Sequence, residues 1–199
     1  MGFLSDILTS LHGRRLGITA NGELVSETHM GTGLVYGGLV SVLSAATAAY
    51  TASSTETLMC SFTVPANKLR VGTVIKFSFQ GIRTAVNSTD TLQTKVYFGG
   101  AGIGGTAVLT MAATNGAAND IIAGEGEIVI RTVGSSGTFV AKTQAPSIEA
   151  ASGAALLQKY IASTAIDTTG SNVIGVALKC STTNAGNSAR IDMFNVWIA

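Results

Sequence analysis

Little of this chain is charged. Asp, Glu, Lys and Arg make up 12% of its 199 residues, about half the usual share of a globular domain. A surface so poor in charge favours burial against partners. The net charge is only +1, and apart from the Arg14-Arg15 pair the cations are scattered. Phosphate affinity rests on clustered cations, so direct nucleic-acid binding is not expected. Aromatics are few as well, at 6% with one Trp, which argues against a base-stacking platform. Only two cysteines and two histidines occur. Cys60 and Cys180 lie far apart in strand-like runs and read as buried reduced thiols rather than a disulfide. With His12 and His29 both near the N-terminus and no C-x-x-C spacing, no metal set is expected. The start MGFLSDILTSLHGRR has no positive region ahead of its apolar part and no small-residue cleavage site, so it does not read as a secretory signal. Asp6 stands where a myristoylation motif wants Ser or Thr.

Hydrophobic residues, by contrast, make up 46% of the chain, and the mean hydropathy is +0.42. The length suits one substantial domain, or one domain with an arm. From Thr28 to Thr55 no charged residue occurs, a stretch long enough to cross a bilayer. Its large apolar residues stop at Leu43, however, and Ala, Ser and Thr take over. A buried strand followed by a plain connection is the better reading, and no membrane partner is expected.

The first thirty or so residues differ from the rest and read as an arm, 1–31, ahead of a β domain, 32–199. Phe3, Leu4, Ile7, Leu8 and Leu11 recur at helical spacing, giving an amphipathic helix too short to stand alone in water. Asn21-Gly22 then fits a hairpin turn between LGIT and ELVS. Beyond Gly33, strand runs recur at short intervals: ETLMCSFTV, TVIKFSFQG and TLQTKVYF with two distinct faces, and further candidates such as GEIVIRTVG, NVIGVALKC and ARIDMFNVWIA. Turn residues bound each of them. Strands without intervening helices point to an all-β fold, an antiparallel jelly-roll sandwich first and another Greek-key β-sandwich second.

Several motifs invite a chemical reading. Gly100, Gly102 and Gly105 in KVYFGGAGIGGTAVL satisfy G-x-G-x-x-G after a strand, with Glu125 and Glu127 about twenty residues later. Those glycines hold a pyrophosphate only when they open a helix. TAVLTMA suits a strand instead, so a loop between two strands is expected and no cofactor. No G-x-S-x-G occurs, and both histidines lie in the arm, which leaves no nucleophilic triad in the body. Glu125 and Glu127 share one strand face and read as a solvated strand edge rather than a carboxylate pair for catalysis. Asp120 and Asp167 suit turns that bond their own backbone, not a calcium loop. Asn87-Ser88-Thr89 is formally a glycosylation sequon, read here as a turn. Neither an enzyme nor a small-molecule substrate is indicated.

HGRRLGITANGELVS resembles the short N-terminal segment of many tailed-bacteriophage virion proteins. FTVPANKLRVGTVIKFSFQGIRTAVNSTDTLQTKVYFGG is similar to strand-turn-strand regions of phage head decoration, cement and fibre proteins, and ARIDMFNVWIA resembles their final strand. About half the chain is covered. The resemblance implies a non-enzymatic virion protein, made in the host cytoplasm, that sits on the capsid surface as a homotrimer and bridges major capsid subunits. On that reading Phe3, Leu4, Ile7, Leu8, Leu11, Arg14, Arg15 and Leu16 of the arm meet the capsid lattice or a sister subunit. The alternative is a tail or head-fibre module that binds a host receptor or glycan. That would need an exposed aromatic and polar cluster on one loop end, and Tyr97, Tyr160 and Trp197 show no such convergence along the sequence.

Overall fold

The computed structural model describes residues 14–18, 24–28, 38–43, 45–51, 53–85, 87, 89–111, 113, 118–147 and 155–199. The helix expected over residues 3–11 lies outside them. Among the described residues all regular structure is β, in thirteen antiparallel strands. β1 (Arg14–Ile18) pairs with β2 (Leu24–Thr28), Ile18 opposite Leu24; the tight turn expected at Asn21-Gly22 lies outside the described residues. This two-stranded sheet shares no ladder with the others.

The body is an antiparallel β-sandwich, the class expected. Its larger sheet runs β11 (Ala155–Ile166), β10 (Gly137–Ser147), β9 (Ile121–Thr132), β6 (Val74–Ala85), β13 (Ser188–Ile198) and β3 (Gly38–Val42), and β4 (Tyr50–Thr51) also pairs with β13. The smaller sheet runs β5 (Thr57–Val64), β12 (Asn172–Cys180), β7 (Leu92–Phe98) and β8 (Thr106–Thr110). The chain therefore crosses between sheets repeatedly, and its last strand lies inside the larger sheet.

Alternation decides which side chains enter the core. β6 turns Ile75, Phe77 and Phe79 inward. β9 adds Ile128 and Ile130, and β13 adds Ile191, Phe194 and Val196. They meet Val96 and Phe98 of β7 and Ile174, Val176 and Leu178 of β12. Phe98 of the smaller sheet and Phe139 of the larger pack edge to face at 5.3 Å, a preferred aromatic geometry. Where β8 meets the larger sheet, Thr143 Oγ1 donates to the Val108 carbonyl (3.0 Å) and Lys159 Nζ to that of Ala107 (3.3 Å). Those two bonds close one side of the sandwich.

β12 is buried on both faces because Gly175 and Ala177 leave room above it. A Cβ at Gly175 would lie 2.7 Å from Leu58 Cδ1. The uncharged stretch between Thr28 and Thr55 holds β3 and then β4. Among the described residues, none of the chain's helices is long and apolar enough to cross a membrane.

Candidate functional site

The G-x-G-x-x-G segment forms the loop between β7 and edge strand β8 and opens no helix. Gly99, Gly100, Gly102 and Gly104 all take positive φ, which side chains resist. Gly102 is buried beside Leu58 and Val173. The loop thus covers the end of the smaller sheet and presents no phosphate cradle.

Asp167 accepts from the Thr169 amide at 2.8 Å, the local turn expected of it. The two cysteines are free. Cys60 sits opposite Val176, four residues along β12 from Cys180, or about 13 Å at strand rise, too far for a disulfide. Burial pushes the Cys60 thiol up to about 12. No group of three or more metal-ligating side chains occurs among the described residues.

One polar cluster sits where β5 begins. Glu56 takes the Lys95 ammonium at 2.7 Å on Oε1 and the Tyr97 hydroxyl at 2.7 Å on Oε2. Burial alone would raise the Glu56 carboxyl, but the bonds from Lys95 and Tyr97 outweigh it and hold the group below its ordinary value. Lys95 is raised, chiefly by Glu56. Tyr97 is raised by burial and then by Glu56. All three groups are committed to each other, which makes the cluster a clamp between β5 and β7 rather than a reactive centre.

The outer face of the larger sheet is different. Trp197 lies opposite Lys76, Lys76 opposite Glu127, Glu127 opposite Lys142, and Lys142 opposite Tyr160. Two residues along each strand, a second row runs Asn195, Ser78, Glu125, Gln144, Gln158. Lys76 Nζ stands 3.9 Å from Glu127 Oε2. Asn195 Nδ2 donates to Ser78 Oγ at 3.5 Å, and Gln144 donates to Glu125. Between β13 and β10 the face sinks into an open groove of about 650 Å³, lined by Lys76, Ser78, Glu125, Lys142, Gln144 and Trp197 among others.

Glu125 and Glu127 are therefore not on a sheet edge. β9 is central, flanked by β10 and β6, and the pair is exposed because this whole face is. Tyr160 and Trp197 do share one face, joined by register across five strands, while Tyr97 belongs to the Glu56 clamp. No local signal in the sequence announces such a row. Of the expected arm residues, Arg14, Arg15 and Leu16 lie on β1, opposite Thr28, Glu27 and Ser26. Phe3, Leu4, Ile7, Leu8 and Leu11 fall outside the described residues.

No known family model matches this chain, and no curated protein does. Solved structures with a weak likeness to this chain include viral capsid chains. One, from the T13 particle of infectious bursal disease virus, is 13% identical with a TM-score of 0.35, covering 94% of this chain and 36% of that one. Another, VP2 of a subviral particle of the same virus, is 11% identical with a TM-score of 0.33, covering 94% and 37%. A third, from the Gx strain, is 12% identical with a TM-score of 0.31, covering 92% and 46%. This chain spans less than half of each.

Proposed function

We propose that the protein is a non-enzymatic structural component of a bacteriophage virion, which binds the outside of the head and cements neighbouring major capsid subunits. The observation that supports this reading is the β1–β2 hairpin, which shares no ladder with the sandwich. The arm, residues 1–31, is then free to serve a partner. Phe3, Leu4, Ile7, Leu8 and Leu11 supply the apolar contact, with Arg14, Arg15 and Leu16 beside them.

Burying five such side chains is worth on the order of 1.5–3 kcal/mol each, while association costs about 4–15 kcal/mol. One arm alone is a marginal anchor. A homotrimer presenting three arms gains from effective concentration, so self-association belongs to the same proposal. The neutral, charge-poor body suits close packing over a junction of subunits.

The test mixes purified protein with heads that lack it and follows co-sedimentation and the thermal stability of the heads. Stoichiometric binding with a raised head-melting temperature is expected. Removal of residues 1–31 should weaken binding by more than roughly tenfold, the equivalent of 1.4 kcal/mol. Absence of binding by the full chain overturns the proposal.

A further inference from the structure

We infer that the outer face of the larger sheet is a binding site for an extended, uncharged glycan. Five strands bring the two rows together, so the groups are held by ladders rather than loops, and little ordering is needed on binding. The groove encloses about 650 Å³, within the range of ligand sites. The row from Trp197 to Tyr160 spans four inter-strand steps, about 19 Å at sheet spacing. A site that long and shallow fits a chain of rings rather than one compact molecule.

Charge selects the class. Lys76 and Lys142 are matched by Glu125 and Glu127, and each charge of the first row faces its opposite in register. A polyanion or polycation would have to break that pairing, and nucleic acid needs clustered cations instead. What remains is a lattice of carboxylate, carboxamide, hydroxyl and ammonium groups, offering donors and acceptors side by side. Sugar hydroxyls both donate and accept, and they match such a lattice.

The aromatics complete it. Trp197 lines the groove and Tyr160 stands 69% exposed at the far end of its row. Trp and Tyr rings each offer an apolar face with a polar tip, on which the C–H face of a pyranose can stack. A protein partner would instead want an apolar centre with a polar rim, and here the centre is polar.

Trp197 is the chain's one tryptophan, so its fluorescence reports on the groove. The full chain is titrated with linear neutral hexasaccharides (maltohexaose, cellohexaose, N-acetylchitohexaose and mannohexaose), with a heparin fragment and single-stranded DNA in parallel. A saturable change with at least one neutral sugar is expected. Glu125→Ala and Gln144→Ala should each weaken it roughly tenfold while thermal melting stays that of the parent. Affinity electrophoresis in polysaccharide gels tests Trp197→Ala, which should lose retardation. The inference is overturned by a flat response to every neutral sugar, by preferred binding of heparin or DNA, or by undiminished affinity in the double variant E125A/Q144A. None of the residues proposed for head attachment is used, so failure here leaves that proposal standing, and the reverse.

Discussion

Two glycines inside β9 show how tightly the core is fitted. A Cβ at Gly126 would lie 2.6 Å from Phe77 Cζ and 2.7 Å from Thr143 Cγ2. At Gly124 it would meet Phe79 Cε1 at 2.7 Å and Leu109 Cδ2 at 2.8 Å. The phenyl rings of β6 occupy the space that side chains on β9 would take, and a ring packed among strands cannot retreat cheaply. Gly126→Ala and Gly124→Ala should therefore each lower stability by about 1–3 kcal/mol, read as a lower urea midpoint at unchanged slope. Gly170 is the control. Nothing lies within 4 Å of its added Cβ and its φ is not positive, so Gly170→Ala should be neutral or gain about 0.4–1 kcal/mol by restricting the unfolded chain. Equal losses at all three positions would rule out the packing explanation.

Between elements, the Glu56 clamp ties the start of β5 to β7 across β12. Because the native carboxyl is held below its ordinary range, its stabilisation is complete above about pH 4.3 and fades as pH falls through the lower native value. Lys95 and Tyr97 shift upward, so their share is complete below about pH 10 and fades as pH rises past it. Glu56→Gln should flatten the acid limb of a melting-temperature profile, and Lys179→Ala, whose ammonium is the least of the causes that lower the Glu56 carboxyl, should flatten it less. Parallel profiles for parent and E56Q would refute the clamp. A second tie joins the sheets: Thr143→Val orphans the Val108 carbonyl and should cost about 1–3 kcal/mol in urea unfolding. How much of this could be read from the sequence follows from range. The alternation in TVIKFSFQG marks β6 directly, since period two is a local property, and the short apolar run NVIGVALKC marks β12 as a strand buried on both faces. β9 extends beyond GEIVIRTVG, back to Ile121, because its glycines admit Phe77 and Phe79 instead of ending the strand. The strand order, the central place of Glu125 and Glu127, and the shared face of Tyr160 and Trp197 all depend on register between distant segments. No single run of residues encodes that.

For the whole molecule, chain order and spatial order disagree most at the C-terminal strand. β13 pairs with β6 on one side and with β3 and β4 on the other, and Ile191, Phe194, Val196 and Ile198 are all buried. The larger sheet cannot complete its core until this strand is in place, and β6, once bare, would offer an unpaired edge to other chains. Folding must wait for pairings between distant parts of the chain, which places refolding in the millisecond-to-second range typical of β-sandwiches. Deleting residues 188–199 should abolish the cooperative thermal transition and yield aggregated protein. Deleting residues 1–31 removes β1 and β2, which share no ladder with the body, and should leave the melting temperature within roughly 2–4 °C, the shift that 1 kcal/mol produces in a domain of this size. The two truncations, compared by calorimetry under one condition, separate the parts. If loss of the arm proves as destructive as loss of β13, the arm is part of the core, and its proposed freedom to bind a capsid fails with it.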